Sequence, residues 1–223
     1  MHKRCEISQG RTRGGYRASR VPMGALCVPM SALVVALLLA ACAGGNDAQR
    51  AQEQREAGTA VAKRATERLV GTLMGEVRKN IEERGLAATV THCATRAQEI
   101  STLVGAEEGV TIRRVTEKTR NPVDAPDTYE RRVLAQFADM AAGGRIDPST
   151  VHAEVVSMDG RDVLRFLKPI MIGKTCLGCH GDAGSIPADV AQALRTHYPS
   201  DRATGYREGE LRGAVSVIVP LAE

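Results

Sequence analysis

The pentapeptide Cys176-Leu177-Gly178-Cys179-His180 restricts this 223-residue chain more than any other stretch, because the fold must present two thiols and an imidazole from one short segment. Three chemistries use such a set. Thiols this close can reach the two vinyl groups of one porphyrin, and the adjacent imidazole can then turn onto its iron. Cys176, Cys179 and His180 can also combine with Cys93 into a Cys3His zinc set. Finally, a Cys-x-x-Cys pair can cycle through a disulfide. The surroundings favour the first. Consecutive Cys179 and His180 would both have to point at one small zinc ion, which is strained, and Gly181-Asp182 follow where a redox dithiol needs a helix. Cys176 and Cys179 are thus candidate attachment residues for one covalent haem c per chain, and His180 is its candidate proximal ligand.

The amino terminus has the layout of a bacterial export signal. An uncharged apolar run from Ala32 to Ala41 follows Arg17 and Arg20. The run is too short to span a bilayer, which takes about 20 apolar residues. Leu39-Ala40-Ala41-Cys42 resembles the lipobox of bacterial lipoproteins, so residues 1–41 are expected to leave as a signal peptide with Cys42 lipidated. An ordinary signal peptide that contains a cysteine is the alternative. The expected location is the periplasmic face of a membrane, with the membrane as a partner through the lipid anchor. Ala43 carries no inner-membrane retention signal, which favours the outer one. The leader holds six of the 30 Lys and Arg and one of the 26 Asp and Glu, so the remainder has 24 basic against 25 acidic residues. The net charge of +4 becomes −1, and nucleic acid loses its compositional support as a partner.

Removing 41 of 223 residues leaves 182, enough for one domain and a tether. There is no Trp and the aromatic content is 3%, so a buried planar cofactor would add much to such a core. Cys5 and Cys27 leave with the leader and Cys42 goes to lipid, so Cys93 is unpaired once Cys176 and Cys179 are used. An exported chain rarely keeps an idle thiol. Cys93 is therefore a candidate sixth ligand, bound as thiolate, and a small buried hydrophobe is the plain alternative. The rival ligands Met140, Met158, Met171, His92, His152 and His197 read as packing or surface.

Residues 42–60, rich in Ala, Gln, Glu and Arg, are expected to form a tether. Leu69, Leu73, Val77 and Ile81 stripe a helix ending near Gly85, and Leu86, Val90, Cys93, Ala97, Ile100 and Val104 stripe a second. Small Ala94 and Ala97 beside Cys93 would let a flat ring approach, while His92 is turned about 100° away. Val110–Val115 reads as a strand, and the prolines of Thr119–Pro126 require irregular chain. Asp127 and Glu130 form a capping box for a helix stopping at Gly143-Gly144. The runs 152–158 and 162–172 make a hairpin about Asp159-Gly160, a short helix covers 185–194, and Leu211–Leu221 is a central strand. Helices bracketing an antiparallel sheet give an α+β class.

Several stretches together resemble the Tll-like bacterial haem domains. They are Val90-Thr91-His92-Cys93-Ala94, Ile112–Val115, Thr119-Arg120-Asn121-Pro122, Ala125-Pro126, Tyr129-Glu130-Arg131, Arg165–Ile170, the Cys176–His180 motif, Arg202–Tyr206 and Arg212-Gly213-Ala214. Asp124 stands where that family has Asn and Tyr129 where it has Trp. The resemblance implies a PAS-like antiparallel sheet with a long N-terminal helix, a folded domain over 61–223, and iron held between His180 and Cys93. Arg113, Arg114 and Arg120 are candidate partners for haem propionates, since guanidinium matches carboxylate bidentately, with solvated surface charge as the alternative. A thiolate ligand implies a low potential. With both axial positions filled no substrate site remains, so the expectation is electron transfer or service to a redox partner protein, and not an enzyme. The alternatives are a haem-based redox or gas sensor acting through a partner, and a zinc-binding structural lipoprotein.

Overall fold

The computed structural model describes residues 30–222, of which 30–47 are described as helical backbone alone. The leader expected over 1–41 and the lipidation expected at Cys42 therefore lie outside the described side chains. Helix α1, Met30–Glu108, is interrupted at Gly85, whose φ of 80° and ψ of 174° are not helical. Glycine adopts that conformation without a Cβ penalty, so the expected helix end becomes a reversal between two arms. The arms run back along each other, with Arg64 Nε 2.8 Å from Glu108 and His92 Nε2 3.0 Å from Glu76. Among the described residues, no helix is long and apolar enough to cross a membrane.

Residues 48–60 depart from the expected tether: they are helical. Ala, Gln, Glu and Arg are strong helix formers as well as linker residues, so composition does not separate the two. Small side chains decide the matter. A Cβ on Gly58 would sit 3.1 Å from Leu221 and 3.2 Å from Leu164, so this glycine marks a close approach of helix to sheet. One to two turns on, Ala62 and Ala65 are fully buried. Gln54 and Arg55 add hydrogen bonds to the carbonyls of Ala222 (2.8 Å) and Ala153 (3.2 Å).

The sheet contains β1 (Thr111–Val115), β2 (His152–Met158), β3 (Arg161–Met171) and β4 (Leu211–Pro220), all antiparallel in the order β1-β4-β3-β2. β4 is interior, as its apolar run on both faces predicts. The β2–β3 hairpin turns through Asp159 and Gly160, both with positive φ, which matches the twist of a tight two-residue turn. On one face, Ile112, Phe166, Val215 and Val217 pack against Leu69, Ile100 and Val104 of the α1 arms. On the other, Val115, Leu167 and Ala214 pack against Val133, Leu134 and Phe137 of α2, Thr128–Ala142. The α2 capping box forms as predicted, with Asp127 accepting from the Glu130 amide at 2.7 Å and Glu130 from the Asp127 amide at 2.8 Å. The class is α+β, in three layers.

Beyond β3 lie the short α3, Leu177–His180, and α4, Ala188–His197. α4 starts three residues later than the sequence reading placed it, because Ser185 is held in a turn by Asp182 (2.8 Å) and Pro187 occupies the cap.

Candidate functional site

The motif occupies the turn immediately after β3. Backbone bonds between Ile172 and both Gly209 (2.8 Å) and Glu210 (2.9 Å) fix the strand's exit. A single 3₁₀ turn, Lys174–Cys176, then runs into α3, which stops where the Gly181 amide donates to Leu177 O at 2.9 Å. Three-residue spacing on this helical turn puts Cys176 and Cys179 on one side. Cys176 packs against Ile172, Ala203 and Tyr206, whereas Cys179 packs against Val90, Val190 and Leu194. Gly178 between them admits Leu86 of α1, which would lie 3.2 Å from a Cβ there. The three thiols of Cys93, Cys176 and Cys179 are free and half-buried.

His180 is the most constrained member. Its Nδ1 lies 2.7 Å from the carbonyl of Ala203, and a carbonyl only accepts, so the proton sits on Nδ1 and Nε2 keeps a bare lone pair. The ring stands edge-on to Tyr206, 6.2 Å between centroids. Burial pushes its pKa down to about 3, helped by the charges of Arg120 and Arg212, while the Ala203 bond acts the other way. His180 is therefore a neutral imidazole at ordinary pH, the form that ligates iron.

Cys93 lies on the second arm of α1. Burial raises its pKa, the positive charge of Arg114 opposes that rise, and the thiol of Cys179 is near enough to raise it further. Cys179 is likewise raised by burial, with Arg120 opposing. Cys93 and Cys179 are thus within electrostatic reach of each other, and the pKa of Tyr198 is raised by burial with a smaller rise from Cys93. Among the rival ligands, His92 is engaged by Glu76 at 3.0 Å, and His152 by the Tyr129 hydroxyl at 3.0 Å. Met140 packs beside α2's cluster on the opposite face of the sheet. His197 lines a cleft of about 130 Å³ with Ala94, Arg120 and Tyr198. That volume is small beside the several hundred Å³ of a typical cofactor site.

The three arginines separate. Arg113 points to α2, where it meets Glu130 at 2.6 Å and donates to the carbonyls of Val123 (3.1 Å) and Ala125 (2.8 Å). Its guanidinium is spent on this bracket, on the face opposite Cys93, and is not available to a propionate at the motif. Arg114, the next residue on β1, points the other way by strand alternation. It comes no closer than 3.9 Å to Asp124, and its buried Nε has no hydrogen-bond partner. Arg120 is held by Asp201 at 3.1 Å, by the Cys179 carbonyl and, more weakly, by Ala203 O at 3.4 Å.

Sequence reasoning missed Ala203, Asp201 and Arg212 as working parts of this region. Arg212 is largely buried, which lowers its pKa, and it donates to Thr116 Oγ1 (2.8 Å) and Lys118 O (3.2 Å). Arg202–Tyr206 and Arg212–Ala214 stood among the stretches that carry the resemblance, so a signal was present without a role. Asp124, the departure from the family's Asn, accepts from Gln98 at 2.9 Å and is the carboxylate facing Arg114. Tyr129, the other departure, donates to Glu154 at 2.9 Å. Among the described residues, no group of three or more His, Cys, Asp and Glu converges as a metal site would.

An α+β domain with a Cys-x-x-Cys-His turn at the end of one strand and a third half-buried thiol on the helix that packs on its sheet defines a narrow class. The family model described as Tll0287-like matches residues 47–220, and the chain belongs to that family. Among solved structures, the crystal structure of the cyanobacterial heme-protein Tll0287 is 25% identical, over 69% of this chain and 96% of that one, with a TM-score of 0.49. No curated protein matches.

Proposed function

We propose that this is a c-type haem domain working in electron transfer, with one haem per chain attached through Cys176 and Cys179 and its iron between His180 and Cys93. The observation that carries the reading is the anchored imidazole: Nδ1 is tied to Ala203 O at 2.7 Å, so Nε2 is left bare on the same turn that carries two half-buried free thiols. The donor set fits. Arg114, whose buried Nε has no hydrogen-bond partner, and the largely buried Arg212 would supply positive charge to the propionates. When bound, the group supplies a one-electron change of its iron.

Each residue has a task in that reading. His180 is oriented and kept neutral by burial. Cys93 supplies a thiolate whose electron donation keeps the potential low. Leu86, Val90 and Val190 exclude water from the Cys179 side. Two protein ligands leave no position for a substrate, so the domain carries electrons to or from a partner protein and is not an enzyme. Lipid at Cys42 would hold it at the periplasmic face of a membrane, the outer one favoured.

The test is an absorption spectrum, oxidised and reduced, of the full chain produced with c-type maturation machinery, followed by acid-acetone extraction. The expected pigment stays with the polypeptide in the wild type, and Cys93→Ala changes the ferric bands. A colourless chain, or pigment that extracts freely, overturns covalent attachment. An unchanged ferric spectrum in Cys93→Ala removes Cys93 as ligand.

A further inference from the structure

The hydrogen bond that orients His180 does not stand alone. Ala203 O accepts from His180 Nδ1 at 2.7 Å and also lies 3.4 Å from Nη2 of Arg120. The same Nη2 holds the carbonyl of Cys179, the residue before the imidazole. Arg120 Nε donates to Asp201 Oδ2 at 3.1 Å, and Asp201 Oδ1 accepts the Ala203 amide at 2.8 Å. The Arg202 amide donates to Thr119 O at 2.9 Å, which laces the two loops at their base. One ion pair therefore grips both ends of the His180 mount: the turn that carries the ring and the carbonyl that receives its proton. We propose that Arg120 and Asp201 form a positioning pair that fixes the imidazole and sets the potential of the iron it ligates. The second half of this rests on the haem reading above.

The placement of the pair separates it from an ordinary surface bridge. The side chains are 13% and 10% exposed, so both charges have lost most of their water. Burying such a pair brings little stability over an apolar replacement, and its best-attested use is to specify one arrangement. Here the arrangement is electronic as well as steric. A guanidinium drawing on the Ala203 carbonyl weakens that oxygen as an acceptor for Nδ1–H, and the imidazole then donates less electron density to iron. A nearby positive charge also disfavours the ferric state directly. Both effects raise the potential, and the Asp201 carboxylate opposes them.

This sign structure gives the experiment. Arg120→Met removes a charge and leaves an apolar stem, Asp201→Asn keeps the acceptor oxygen and removes a charge, and Arg120→Lys keeps the charge. In the full chain made with c-type maturation machinery, midpoint potentials come from spectroelectrochemical titration. Arg120→Met is expected to shift the oxidised-to-reduced ratio at fixed potential about tenfold toward oxidised, a fall of about 59 mV for one electron. Asp201→Asn shifts it the opposite way, and Arg120→Lys stays within about threefold of wild type. Shifts of the same sign in Arg120→Met and Asp201→Asn, or none in either, overturn the proposal and leave a structural brace.

A pigment-free readout separates this from failure of the haem reading. Nitrogen-15 NMR of His180 in the apoprotein reports which ring nitrogen carries the proton. Wild type is expected to hold the Nδ1–H tautomer, and Arg120→Met with Asp201→Ala is expected to lose that preference. A tautomer unmoved in the double variant overturns the positioning role whether or not haem is bound.

Discussion

Against α2, the arginines of the sheet have carboxylates close by: Arg113 meets Glu130 at 2.6 Å, and Arg165 meets Asp127 at 2.8 Å. Around the motif turn the balance is mixed, because Arg120 pairs with Asp201 at 3.1 Å while two other arginines do not pair closely. Arg114 is 3.9 Å from its nearest carboxylate, and Arg212 has no ion pair among the described residues. One nitrogen of the balanced side, Arg165 Nε, also lacks a partner, but its guanidinium is paired through Nη2. An uncompensated buried cation is costly, so a fold keeps one where something negative arrives. On the proposed reading, the contrast makes the α2 face a brace and leaves Arg114 and Arg212 to meet the haem propionates.

The largest expected effect breaks the brace. Glu130→Ala would take from Arg113 its carboxylate and from Arg165 the second of its two, and chemical denaturation should show a loss of about 3 kcal/mol. A loss below about 1 kcal/mol would mean that the two faces do not differ as described. Next comes pH. The folded pKa of His180 lies near 3 against 6.5 unfolded, so the apoprotein has its full contribution above pH 6.5 and loses it as pH falls toward 3. The slope from this one group reaches about 1.4 kcal/mol per pH unit, and His180→Gln should flatten it. Asp127→Ala removes the α2 cap and one partner of Arg165, with an expected loss of about 1–2 kcal/mol in thermal or denaturant melts. The smallest effect sharpens the comparison most. Arg114→Met should change apoprotein stability by no more than about 1 kcal/mol, because it deletes a partly exposed guanidinium 3.9 Å from Asp124, which keeps its bond from Gln98. A clear destabilisation there would place Arg114 in the brace.

Much of this fold is legible where a local rule is strong. Gly85, the Asp127–Glu130 box and the Asp159-Gly160 turn are decided within four residues, and each stands where the sequence put it. The Cys176–His180 turn is equally local. What could not be read depends on partners far away in the chain. Arg113 and Arg114 are neighbours with the same side chain, and only the pleat sends one to Glu130 and the other toward Asp124 on the opposite face. Arg120 meets Asp201 across 81 positions, and no period or spacing announces that pair. The tether failed for another reason: a helix that docks through small residues has no apolar stripe to count.

That last seam has an experimental side. Gly58, Ala62, Ala65 and Leu69 repeat at steps of four, three and four, and the first three bring the helix backbone close to the sheet because they carry almost nothing. An alanine scan, the ordinary way to find which positions matter, cannot change two of these four and adds only one carbon to a third. It would find Leu69 and pass over Ala62 and Ala65, although both are fully buried. Leucine at Gly58 would wedge the helix from Leu164 and Leu221, so the glycine and the two alanines are positions that resist the addition of atoms, where the core around Phe166 resists their loss.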